Sequence, residues 1–152
     1  MKITEKDRKK LLNAIPMIAA YVAFADGELD KKEVDSAKRI ANLRRFNSKV
    51  EPAVRRYYTE VFEQFDDRFL ELVHNLPNDE EERSAYLEKE IAKMNGIIQK
   101  LDPLHALQLL KSFKSFAEHV ARAEGGLLAM GTYGPRQDKA RKLEMLTDVD
   151  SL

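Results

Sequence analysis

Ile18-Ala19-Ala20-Tyr21-Val22-Ala23-Phe24-Ala25-Asp26-Gly27-Glu28 reads as the end of an alanine-rich helix that runs into an acidic turn. Alanine favours the helix, glycine stops it, and Ile18, Val22 and Ala25 recur at helical spacing on one face. Nearly a hundred positions later comes Phe116-Ala117-Glu118-His119-Val120-Ala121-Arg122-Ala123-Glu124-Gly125-Gly126. Ala19, Val22, Ala23, Ala25 and Gly27 match Ala117, Val120, Ala121, Ala123 and Gly125, and Asp26 is answered by Glu124, another carboxylate. The shared ending of small residue, acid and glycine predicts a duplication: two pseudo-symmetric halves, each a helix, an acidic turn and a following helix.

Helical periodicity extends outward from these two runs, and no clean period-two alternation interrupts it. A first helix is expected over residues 4–25, capped by Thr4 with Asp7 three residues on, and carrying Leu11, Ile15, Ile18, Val22 and Ala25 inward. Pro16 lies within it and predicts a kink or a restart. A second helix follows Asp30 and buries Val34, Ala37, Ile40 or Ala41, and Phe46. A third starts near Ser48, with Glu51 completing a capping box, and carries Val54, Tyr58, Val61 and Phe65. Asp66-Asp67 can cap a short fourth with Phe69, Leu72, Val73 and Leu76, ended by Pro77-Asn78. A fifth spans about 79–100, opening on acids that suit its positive dipole end, with Leu87, Ile91, Met94 and Ile98 inside. Asp102-Pro103 opens a sixth that buries Leu107, Leu110, Phe113, Ala117 and Val120 and stops at Gly125-Gly126. After a glycine-rich loop, a last helix covers about 135–146. The expectation is an all-α, compact bundle of about seven short helices forming one domain over residues 1–152.

Composition removes several function classes. There is no cysteine, hence no disulfide, thiolate metal site or cysteine nucleophile, and any metal must be held by oxygen ligands with at most a histidine. Lys+Arg and Asp+Glu balance at 26 each, so no global basic field draws nucleic acid. No apolar run approaches the roughly 18 residues that a membrane span needs, and the N-terminus lacks the apolar core of a signal peptide. A cytoplasmic location is expected.

Asp26, Glu28, Asp30 and Glu33 place four carboxylates around a glycine turn. Hard divalent cations take oxygen ligands, and a turn lets several converge. The spacing is not that of an EF-hand, because glycine comes second. A structural reading stands beside the cation reading: Asp30 and Glu33 form a capping box, Gly27 terminates a helix, and Asp26 and Glu28 are solvated turn residues.

The run Ala25-Asp26-Gly27-Glu28-Leu29-Asp30-Lys31-Lys32-Glu33 resembles the signature of the TerB-like tellurite-resistance family, and Ala121-Arg122-Ala123-Glu124-Gly125-Gly126 resembles its looser second copy. The resemblance follows the helix order over most of the chain. It implies an all-helical fold of pseudo-twofold halves, a cation site built from acidic residues, and association with tellurite resistance, stress response and co-chaperone modules; it implies no defined reaction. The second copy departs from the pattern: Gly126 stands where the first has Glu28, and Gln137 and Asp138 stand where the first has Glu33. One site fed by both halves fits this better than two symmetric ones.

Other chemistry is sparse. His74, His105 and His119 are scattered, and only His119 lies near an acidic turn. No serine elbow, triad order or phosphate loop is present. Lys38, Arg39, Arg44, Arg45, Lys49, Arg55 and Arg56, with Tyr57 and Tyr58 beside them, read as the solvated face of two helices before they read as a nucleic-acid or anionic-lipid surface. Phe62, Phe65, Phe69, Phe113 and Phe116 read as core. The expected function is therefore a non-enzymatic, cytoplasmic TerB-like module that binds a divalent cation through Asp26, Glu28, Glu33 and Glu124, with Asp30 nearest to a pure cap. The alternatives are a protein-interaction domain with structural acidic turns and an unidentified protein partner, or a metal-dependent hydrolase, for which no general base stands out. No nucleic-acid partner is expected.

Overall fold

The computed structural model describes residues 3–25, 29, 31–47, 49–122, 140 and 142–146. Among them the chain is all-α, a compact bundle with no strand. Its five long helices are α1 (Glu5–Ala23), α2 (Lys31–Phe46), α3 (Pro52–Asn75), α4 (Glu80–Ala92) and α6 (Pro103–Ala121), with a single-turn α5 (Met94–Ile98) between α4 and α6.

The capping box that opens α1 forms as its sequence requires. Thr4 Oγ accepts from the Asp7 backbone N–H at 3.0 Å, and Asp7 Oδ2 accepts from the Thr4 N–H at 3.2 Å. Lys100 Nζ, just past α5, lies 3.0 Å from the same carboxylate and ties that end of the bundle to the start of the chain. The Lys100 ammonium and the Thr4 N–H hold the Asp7 carboxyl below its usual pKa. Pro16 interrupts neither the helix nor its buried face, and α1 runs on to Ala23. One turn earlier, the Leu11 carbonyl accepts a hydrogen bond from the buried-side hydroxyl of Tyr57 on α3.

α1 is the axis of the fold, touching all five other helices. Ile15, Ile18, Ala19, Val22 and Ala23 are wholly withdrawn from solvent, as are Phe113, Phe116, Ala117, Val120 and Ala121 on α6. The alanines let α1 and α6 lie close, while the aromatic and branched residues fill the space around them. A single contiguous apolar core joins these residues to Ala37, Ala41, Tyr58, Val61, Phe65, Leu87, Ile91, Met94 and Ile98, and to Ala140, Leu143 and Leu146 near the C-terminus.

Several expected boundaries move. The third and fourth helices are one, α3, which passes straight through Asp66-Asp67. Val54, Tyr58, Val61, Phe65 and Phe69 form an unbroken inward stripe, and both aspartates point outward, where Asp66 meets Lys38 Nζ at 2.7 Å. Two adjacent acids on an outer face need no helix break. Glu51 is the N-cap of α3 without a side-chain cap hydrogen bond, and Pro52 supplies the helical φ instead. Ser48, its expected capping partner, lies outside the described residues. The fifth helix is divided at Lys93, whose φ of −62° and ψ of −21° stay close to helical; Leu87, Ile91, Met94 and Ile98 are all buried across the division. Among the described residues, the first six expected helices thus become five long ones and a turn.

Some inward assignments fail at helix ends. Phe46 is 71% exposed, because α2 ends there, beyond its buried positions Glu33, Ser36, Ala37 and Ala41. Its ring stacks on the Arg45 guanidinium, 4.5 Å from the ring centroid. Leu107 is also on the exposed side of α6, whereas Leu110 is buried as expected and Leu109 is buried beside it. The start of the last expected helix lies outside the described residues; Ala140 and Lys142 are helical, but the chain turns at Leu143. Leu143 adopts a left-handed φ of 44°, the conformation that commonly terminates a helix. The Asn95 amide then donates to the Met145 carbonyl at 2.9 Å and fixes this segment to α5.

Candidate functional site

Of the five acidic residues singled out as ligands, Glu33 is described; Asp26, Glu28, Asp30 and Glu124 lie outside the described residues. Glu33 occupies the first turn of α2 and has no solvent exposure. It shares the inward stripe with Ala37 and Ala41, four and eight residues on. The first turn of a helix is the favourable end for a carboxylate. Complete withdrawal from water nevertheless demands hydrogen bonds, a cation or a proton, since an ionised carboxylate in an apolar interior is costly.

A cavity of about 240 Å³ lies where α1 ends, walled by Tyr21, Phe24 and Ala25 from α1 and its cap and by the start of α4. Ala25 is the residue immediately before Asp26. Glu80, Glu81 and Glu88 of α4 line the opposite wall. Tyr21 donates its hydroxyl to Glu88 Oε1 at 2.7 Å; burial, followed by the Glu88 carboxylate, pushes the phenol's pKa far upward. Arg83 is buried and stacks over Phe24, its guanidinium carbon 4.2 Å from the ring centroid. No basic residue sits in the last turn of α1, so nothing on that helix offsets the negative end of its dipole. Glu80, Glu81 and Glu88 read in sequence only as helix-start acids and surface residues, since the α1–α4 packing that turns them toward Ala25 has no local signature. Among the described residues, no group of three or more histidine, aspartate or glutamate side chains is arranged to hold a metal.

A second polar cluster joins α2, α3 and α6. Arg44 Nη1 donates to the Tyr58 hydroxyl at 2.8 Å, to the Ser112 carbonyl at 2.8 Å and to Ser112 Oγ at 2.9 Å. Its Nη2 donates to Ser115 Oγ at 2.7 Å and approaches His119 Nδ1 at 3.4 Å. An arginine cannot accept, so His119 Nδ1 is the acceptor in that contact and the neutral ring carries its proton on Nε2. Burial, then Arg44 and Arg122, lower the His119 pKa, opposed by Glu118. The four partner residues lie 14 to 75 positions away from Arg44 in sequence.

The same packing settles the orientation of the tyrosines beside the basic run. Tyr58 is wholly buried and Tyr57 gives its hydroxyl to Leu11, so neither ring is offered to a base. Lys38 pairs with Asp66, and Arg45 lies between Phe46 and Phe62, 4.5 Å from each ring centroid. No described helix is long and apolar enough to cross a membrane. No protein-family model, curated protein or solved structure matches the chain.

Proposed function

We propose that the chain is a non-enzymatic, TerB-like helical module that binds a divalent cation at the acidic turn joining α1 to α2, in the setting of tellurite resistance or stress response. The observation that carries this reading is the complete burial of Glu33, the last acid of the Asp26–Glu33 run. A long carboxylate drawn inside, two residues after Lys31 opens α2, is disposed to meet positive charge. The cavity beside Ala25 sets Glu80, Glu81 and Glu88 against Arg83, three formal negative charges against one positive, and this balance favours a cation at that end of the molecule. Asp26 and Glu28 are the first ligands in this reading, Glu33 and Glu124 the next, and Asp30 caps α2. The matching burial of Ala19, Val22 and Ala23 with Ala117, Val120 and Ala121 supports two related halves.

Thermal melts with calcium, magnesium, manganese or zinc test the proposal. Ligand at about 100 times its dissociation constant adds about 2.7 kcal/mol of stability. For a domain of this size that is a rise of about 5–10 °C. Asp26→Asn combined with Glu28→Gln should abolish the rise and leave the metal-free protein no less stable. If none of the four ions gives a saturable, carboxylate-dependent shift, the cation reading is wrong and the acidic turn is structural.

A second reading, a protein-interaction domain, has its own observation. Leu43, Phe46, Leu70 and Leu104 are each more than half exposed, and Leu43 and Phe46 lie one turn apart on α2. Phe46→Ser and Leu43→Ser should then weaken partner capture without altering the melting behaviour in metal.

A further inference from the structure

The end of α2, the link into α3 and the outer side of α6 enclose a groove of about 450 Å³. Three cationic side chains line it: Arg44, Lys49 and Lys111. Among the described residues none of the three forms an ion pair. Arg44 is held by neutral acceptors alone, namely Tyr58, Ser112, Ser115 and the imidazole of His119. One carboxylate, Glu51, faces the same groove, which leaves a formal excess of two positive charges. Elsewhere on the surface, Arg8, Lys38, Lys93, Lys100 and Arg122 each have a carboxylate partner. The groove is therefore a place where positive charge is gathered, oriented and left uncompensated.

We propose that this groove is a binding site for a phosphate-bearing small ligand, recognised through its dianionic phosphate. Arg44 is already fixed in position, so its field acts on the groove without a loss of side-chain freedom on binding. Lys49 and Lys111 are exposed and free to close on the anion as point charges. The exposed Ser115 hydroxyl and the Nε2–H that the Arg44 contact assigns to His119 are donors of the kind phosphate oxygens accept. Binding here is independent of the acidic turn, and the test separates the two by working in chelator.

The measurement is thermal melting in EDTA at fixed ionic strength, with chloride replaced by inorganic phosphate or by glycerol phosphate. Both should raise the melting temperature saturably. Lys49→Gln with Lys111→Gln removes charge from exposed positions, keeps the fold, and should weaken the apparent affinity about tenfold or more. NMR titration of the His119 ring should show its pKa rising when phosphate is added, because the anion offsets Arg44 and Arg122. Phosphatidylcholine vesicles carrying phosphatidic acid distinguish a lipid headgroup from a free ester. Sedimentation with them that is lost in the double variant, without a response to the free ligands, keeps the phosphate site and assigns it to a membrane source. No response to any of the three probes, or a response that the double variant retains in full, overturns the proposal.

Discussion

Tyr21 near the end of α1 donates a hydrogen bond from its hydroxyl to Glu88 of α4 at 2.7 Å, and both residues line the cavity at the end of α1. Tyr21→Phe keeps the ring and removes the donor to a charged acceptor. It should cost about 1–2 kcal/mol in urea unfolding. A variant as stable as the wild type would mean that Glu88 is as well served by water.

The same phenol, with those of Tyr57 and Tyr58, sets an alkaline limit on stability. Burial is the largest cause of all three upward pKa shifts. The folded state keeps these protons at pH values where the unfolded chain has lost them. Stability from this source is whole below the ordinary tyrosine pKa of 10.0 and falls as pH rises through and above it. Absorbance titration should therefore ionise fewer tyrosines in the folded protein than in the denatured chain at about pH 11. Equal titration of the two states would contradict the buried hydroxyls.

Asp7 works in the opposite direction. Its carboxyl is held below the ordinary value of 3.8, chiefly by Lys100 and then by the Thr4 N–H. The stability this contributes is present above that value and is lost as pH falls through the lowered one. Asp7→Asn should flatten the acid limb of the stability profile, and Thr4→Ala should cost about 0.5–2 kcal/mol at neutral pH through the lost cap. Acid unfolding curves of wild type and Asp7→Asn that run parallel would rule out the Lys100 contact in solution.

Arg44→Lys preserves the charge but not the fork that serves Tyr58, Ser112 and Ser115 together. It should cost about 1–3 kcal/mol, measured by urea unfolding. An unchanged midpoint would show that the cluster does not join α2, α3 and α6.

Phe113 and Phe46 form a control pair. Phe113 is wholly buried, and Phe113→Ala should cost about 3–5 kcal/mol. Phe46 is 71% exposed with only the Arg45 stack to lose, so Phe46→Ala should cost less than about 1 kcal/mol. Calorimetry or urea unfolding reads both. Comparable costs would mean that Phe46 is covered in solution, which is what the interaction-domain reading requires.

Helical class, the Thr4–Asp7 capping box, the N1 proline Pro103, and the stripes Val54–Tyr58–Val61–Phe65 and Leu87–Ile91–Met94–Ile98 were all readable along the chain. Each depends on residues three or four positions apart, the distance over which a helix itself acts. Boundaries resisted where one local signal competed with another. Asp66-Asp67 has the composition of a cap, but the continuing apolar stripe kept α3 intact. Phe46 follows the α2 pattern in sequence, but the helix runs out of neighbours to bury it against.

The sites divide along the same line. Sequence alone determined that Asp26, Glu28, Asp30 and Glu33 fall within eight consecutive positions. Only the tertiary structure decided that Glu33 is drawn entirely out of water, that Glu80 and Glu88 face the end of α1, and that Arg44 gathers Tyr58, Ser112, Ser115 and His119. Those relationships are set by which helix faces meet across the bundle, and side-chain periodicity shows which residues turn inward without showing whom they meet there.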